Sequence, residues 1–141
     1  MSGPETRIVA QIKTALKRRG AFYFKVHGSE FMMAGLPDLI VCYRGLFIGM
    51  EVKTAEGVVS DVQAYVHRRI RLRRADGIAV VVHSPAEAMR VLDVIDGHHT
   101  AFQPGTDAMR AHLSDIFGWG PHSTTKATPK GGDVDNAAGV D

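Results

Sequence analysis

The stretch GLPDLIVCYRGLFIGMEVK, residues 35–53, decides how this chain is read. Two apolar runs, 38–43 and 46–53, flank Arg44-Gly45, a pattern that predicts two antiparallel strands joined by a tight turn. Yet the hairpin keeps Asp38 at one end and Glu51 and Lys53 near the other. Strand side chains alternate between faces, so Glu51 and Lys53 share a face while Met50 and Val52 point the other way. With the turn at 44–45, position 51 falls opposite a residue near 38. Directly opposed, their Cβ atoms lie roughly 5 Å apart. Gly49 stands on the Glu51 face and is expected to leave open space beside that carboxylate.

Two acids at that separation repel, and burial raises the cost of ionising them. A hard divalent cation such as Mg²⁺ removes the conflict, because it takes oxygen ligands and is commonly held by one or two carboxylates with water and phosphate oxygens. A lysine on the same face can polarise an attacking water or steady phosphoryl oxygens. Taken singly, Asp38 is a turn residue after Pro37, and Glu51 with Lys53 is an ordinary polar face. Taken together they form a set suited to phosphodiester hydrolysis.

Working outward, residues 4–19 read as a helix, with Pro4 in the first turn and Ile8, Val9, Ile12 and Leu16 as its apolar stripe. Glu5 lies at the edge of that stripe, where an acid also complements the helix dipole. Residues 21–26 read as a strand and 27–37 as a loop, in which Phe31, Met32 and Met33 either pack underneath or meet a partner. Ser60 and Gln63 have capping-box spacing at the start of a helix running to about Ala75. Residues 78–83 form a buried strand, and SPAE at 84–87 opens a helix to about Ile95. A further helix is expected over 105–117. Residues 1–120 are read as one domain and 121–141, poor in large apolar residues, as a disordered tail. The order predicts an α/β fold, a mixed sheet with flanking helices.

The composition excludes several classes. The chain has 141 residues, 45% hydrophobic and 23% charged, which suits a single modest core. Only 7% is aromatic, which disfavours a single-strand binder built on stacking. One cysteine, Cys42, reads as a small buried hydrophobe and cannot form an intrachain disulfide. No long apolar run suggests a membrane span, and the expected setting is cytoplasmic. Seven histidines tempt a zinc reading, but His98-His99 lack further ligands at convincing spacing and His27 reads as exposed.

GLPDLIV and MEVK resemble the PD-(D/E)xK nuclease superfamily, and more closely its virus-type replication–repair family, VRR-NUC. The resemblance covers roughly residues 5–95 and includes SDVQ at 60–63 and GIAVVVHSPAEAMRVL at 77–92. Archaeal Holliday-junction resolvases look like more distant relatives. The resemblance implies a restriction-endonuclease-like α-β-β-β-α-β core and a Mg²⁺- or Mn²⁺-dependent nuclease with no small-molecule cofactor. It makes Asp38 and Glu51 metal ligands, Lys53 the catalytic lysine, and the backbone carbonyl of Val52 a further contact. An acid of the first helix often completes such sites. Glu5 matches that position, with Glu30 as a rival. Gln63 matches a glutamine found after the lysine, but it also fits the helix cap, and one side chain is not expected to do both.

Phosphate contacts are expected from Arg68, Arg69, Arg71, Arg73 and Arg74, five arginines in seven positions, and from Lys13, Lys17, Arg18 and Arg19. Arg44 and Lys25 are weaker candidates. The leading function is a structure-selective DNA endonuclease acting on branched or replication intermediates. Symmetric junction cuts would require a homodimer, with 31–33 and 105–117 as its possible surfaces. A small nuclease of this type suits a phage genome. The alternatives are a general nicking nuclease, a catalytically weak nucleic-acid-binding subunit that needs a partner, and an enzyme for RNA or single strands.

Overall fold

The computed structural model describes residues 3–99 and 104–117. Its elements run α1 (Pro4–Arg18), β1 (Phe22–Lys25), β2 (Leu39–Tyr43), β3 (Leu46–Val52), α2 (Asp61–Arg71), β4 (Ile78–Val82), α3 (Pro85–His98) and α4 (Pro104–Phe117). The four strands form one sheet in the order β1-β2-β3-β4. The first two pairings are antiparallel and β3–β4 is parallel. The expected α/β mixed sheet with flanking helices is borne out. The chain divides into two units at Gly97 and His98, and α4 belongs to the second. Within α4, Met109, Ile116 and Phe117 are exposed. The tail expected at 121–141 lies outside the described residues.

Alternation along the strands sorts the sheet into two faces. Leu39, Val41, Ile48, Met50, Val52 and Val82 join Val9, Ile12 and Leu16 of α1 and Ala88, Leu92 and Ile95 of α3 in one buried core. The opposite face carries Gly49 and receives α2, whose Ile70 reaches both Gly49 and Gly77. Tyr43 pairs with Leu46 across a turn in which Arg44 (φ 49°) and Gly45 (φ 79°) are both left-handed, the twist that a two-residue hairpin requires.

Three expectations are corrected. The helix after Ser60 ends at Arg71, not near Ala75. Leu72 is extended, and the Gly77 N–H donates to the Ile70 carbonyl at 2.9 Å, because the chain must turn back to set Ile78 beside Ile48. Arg73 and Arg74 therefore sit in a turn. Cys42 is exposed, not buried. Its cross-strand neighbours Phe22 and Phe47 share a sheet face that α2 leaves partly uncovered, and both are exposed as well. Finally, α3 continues through Gly97 to His98. Its last turn is held by Asp96, which accepts from Tyr43 Oη (2.9 Å) and Arg19 Nη2 (2.7 Å) and also pairs with Arg44. The Arg44 guanidinium is the main cause holding the Asp96 carboxyl below the usual range.

Candidate active site

Asp38 immediately precedes β2, and Glu51 and Lys53 lie at the end of β3, so all three meet at one end of the sheet. The register places Leu39 opposite Met50, and one step further along sets Asp38 opposite Glu51, as the hairpin pattern predicts. Asp38 is fixed from two sides. Its carboxylate Oδ2 accepts the Val52 N–H at 2.8 Å, and its carbonyl accepts the Val26 N–H at 2.8 Å. Those bonds tie the site to β3 and to the strand end of β1. The Val52 side chain is buried on the opposite face, which leaves only its backbone beside the acids.

Glu51 is 2% exposed, an unusual place for a carboxylate. Its Oε1 accepts from Gln63 Nε2 at 2.7 Å and lies 3.3 Å from Lys53 Nζ. Its Oε2 is buried with no hydrogen-bond partner among the described residues. Burial, and then the charge of Asp38, push the Glu51 carboxyl up to about 7. Lys53 opposes that shift without cancelling it. A buried carboxylate that has one unsatisfied oxygen and a second acid as its neighbour is costly unless a cation completes it. The oxygen donors of Asp38 and Glu51 suit a hard divalent cation such as Mg²⁺ or Mn²⁺.

Gln63 overturns the expectation that one side chain must choose between capping and the site. Its Oε1 accepts the Ser60 N–H at 2.9 Å, while Ser60 Oγ accepts the Gln63 N–H at 3.2 Å. The amide nitrogen remains free to donate to Glu51. A carboxamide has an acceptor end and a donor end, and here each has its own partner. That property was available from the sequence, and it makes Ser60 a residue that fixes Gln63, and through it Glu51.

Packing holds the acids in register. A Cβ on Gly49 would stand 2.7 Å from Pro37 Cγ, so the ring just before Asp38 lies against the Gly49 backbone. The space beside Glu51 expected at Gly49 is therefore occupied, by Pro37 and Ile70. Gly35 (φ 83°) is pressed against Val62, where a Cβ would meet Val62 Cγ1 at 2.6 Å. The loop before Asp38 is thus docked on the first turn of α2. Beyond it, Phe31, Met32 and Met33 are exposed rather than packed beneath the loop.

Glu5 and Glu30 are exposed. Among the described residues no three His, Cys, Asp or Glu side chains gather as a metal-holding group, so Asp38 and Glu51 stand as a pair. Arg68, Arg69 and Arg71 are exposed in the last turns of α2, beyond the end that contacts Glu51. Lys17 and Arg18 are exposed at the C-terminus of α1. Arg19 is committed to Asp93 and Asp96 at 2.8 and 2.7 Å. Lys13 is buried. His67, one turn after Gln63, is also buried, and desolvation, aided by Arg71, lowers its pKa. A groove of about 620 Å³ beside α2 is lined by Met33, Ile40, Phe47 and Tyr65, and it contains neither acid of the pair.

The helix-flanked mixed sheet thus brings two acids and a lysine together at one end. A solved structure described as a VRR_NUC domain is similar to this chain at 25% sequence identity with a TM-score of 0.56. The match covers 70% of this chain and 100% of the other. This likeness supports a relationship to the VRR-NUC family, as GLPD and MEVK led us to expect. No protein-family model and no curated protein matches the chain. Among the described residues no helix is long and apolar enough to cross a membrane.

Proposed function

We propose that this protein is a divalent-metal-dependent endonuclease that hydrolyses phosphodiester bonds in DNA. The observation that carries the reading is the buried Glu51 carboxylate, paired with Asp38, held by Gln63 and Lys53, and left with one oxygen unsatisfied. The similar VRR_NUC structure supports it.

Asp38 and Glu51 are the residues that would hold Mg²⁺ or Mn²⁺, with the Val52 carbonyl as a further oxygen donor. When bound, the cation would neutralise charge at the phosphate and favour ionisation of the attacking water. The chain supplies the rest. Lys53 places an ammonium group beside the acids, where it can stabilise charge growing on the phosphoryl oxygens. Gln63 holds Glu51 through Oε1, which leaves Oε2 as the oxygen without a hydrogen bond among the described residues. The Asp38 bond to the Val52 N–H fixes the spacing of the two acids. Exposed Arg68, Arg69 and Arg71 offer phosphate contacts that carry no sequence information.

Within this reading we assign branched or replication intermediates as the substrate and a homodimer as the working form. The described residues hold one such acid pair at the sheet end, and paired cuts need two sites. Exposed Phe31, Met32 and Met33 offer apolar surface for association. The test is cleavage of four-way junction, flap, plain duplex and single-stranded DNA in Mg²⁺ or Mn²⁺. Paired symmetric cuts confined to the junction are expected. Equal cutting of all the substrates would leave a general nuclease, and binding without cutting would point to a subunit that needs a partner.

A further inference from the structure

We propose that the pocket between the first half of α1 and the end of β1 is a phosphate subsite. It would hold a backbone phosphate of the DNA strand whose scissile bond lies at Asp38 and Glu51. The proposal deepens the nuclease reading and rests on it. The pocket has a volume of about 380 Å³ and is lined by Thr6, Arg7, Lys13, Lys25 and His27 among others. Arg7, Lys13, Lys25 and His27 supply the basic lining, Lys25 Nζ also donating to the Val26 carbonyl at 3.4 Å, and no carboxylate is among the described residues that line it. A concave basic surface of this kind selects an anion.

Its location decides which anion. Lys25 pairs with Leu39, the residue after Asp38, and the next N–H along the chain, that of Val26, donates to the Asp38 carbonyl. The strand end that carries Lys25 is therefore bonded directly to the backbone of Asp38. Lys25 follows the buried Tyr23 by two residues and so points toward α1, whereas Asp38 and Glu51 lie on the α2 face. The pocket and the acids flank the same end of the sheet from opposite faces. A strand crossing that end carries a phosphate at every nucleotide. With one phosphate at the acids, a neighbouring one on a strand that wraps this end of the sheet would meet Arg7, Lys25 and His27. The basic residues at the far ends of α1 and α2 are placed less directly, and Arg19 there is already held by Asp93 and Asp96.

The test measures binding of fluorescent single-stranded and duplex DNA with calcium in place of magnesium, at several salt concentrations. It uses Arg7→Ala, Lys25→Ala and Thr6→Asp. The last places a carboxylate in the pocket at a first-turn position that favours acids, so it is compatible with folding. Each variant is expected to weaken binding by about tenfold and to lower the salt slope by about one. Replacing single phosphates by neutral methylphosphonates should reveal one position that matters to the wild type and not to Lys25→Ala. Wild-type affinity and slope in all three variants would overturn the proposal. Single-turnover cleavage by the same proteins separates the two claims. Unchanged binding with intact cleavage removes only the pocket. Weakened binding without any metal-dependent cleavage by the wild type removes only the nuclease reading.

Discussion

Gln63 Nε2 donates to Glu51 Oε1 at 2.7 Å while the other end of the same amide closes the capping box with Ser60. One side chain therefore ends a helix and orients a buried acid. The two roles can be separated. Gln63→Glu keeps an acceptor for the Ser60 N–H but replaces the donor facing Glu51 with a second carboxylate. Measured below pH 7, where Glu51 is protonated and can donate to the new carboxylate, its thermal stability should stay closer to wild type than that of Gln63→Ala, which loses the cap at a cost of about 1 kcal/mol. Cleavage should fall by roughly 10- to 100-fold in both. Melting curves and cleavage rates measured side by side check this. Parallel losses of stability and activity in the two variants would make Gln63 merely a cap.

The pH dependence of the metal-free protein has a defined sign. Glu51 titrates near 7 in the fold, above its ordinary value. Between the two values the folded state binds more protons than the unfolded one, so this group's contribution to stability falls as pH rises. Glu51→Gln removes the ionisable group. Its melting temperature relative to wild type should therefore be higher at pH 8 than at pH 5, by a few degrees. Added Mg²⁺ or Mn²⁺ should raise the wild-type melting temperature more at pH 8, where the carboxylate is ionised, and should have little effect on Glu51→Gln. Calorimetric scans with and without chelator test both statements.

Gly49→Ala would push a methyl group into the Pro37 ring. We expect a loss of about 1–3 kcal/mol. Displacement of Pro37 also moves Asp38 away from Glu51, so cleavage should fall further than the lost folded fraction explains. Denaturant melts together with rates normalised to folded protein separate the two effects.

Replacing Arg68, Arg69 and Arg71 together by alanine should weaken DNA binding without changing the relative rates among substrates of different sequence. The salt slope should drop by about one for each arginine that touches a phosphate. A changed sequence preference would show that these arginines read bases.

Much of this was legible in the sequence because the hairpin is over-determined. Arg44-Gly45 fixes the turn, the turn fixes the register, and the register sets Asp38 against Glu51. The capping box at Ser60 was equally local. What escaped the sequence was set by packing between distant segments. The early stop of α2 follows from Gly77 meeting Ile70, and the filled space at Gly49 from Pro37 on the neighbouring strand's approach. The exposure of Cys42 depends on where α2 stops covering the sheet. The length of α3 depends on Asp96 meeting Tyr43, Arg19 and Arg44, an arrangement that no local pattern encodes.

The most direct test of the central claim is single-turnover cleavage of labelled DNA by the wild type and by Glu51→Gln, in Mg²⁺ and then in excess chelator. The account predicts wild-type cleavage that disappears with chelator and returns with metal, and a rate at least about a hundredfold lower for Glu51→Gln with DNA binding retained. Cleavage that persists in chelator, or that survives the loss of the Glu51 carboxylate, would contradict it.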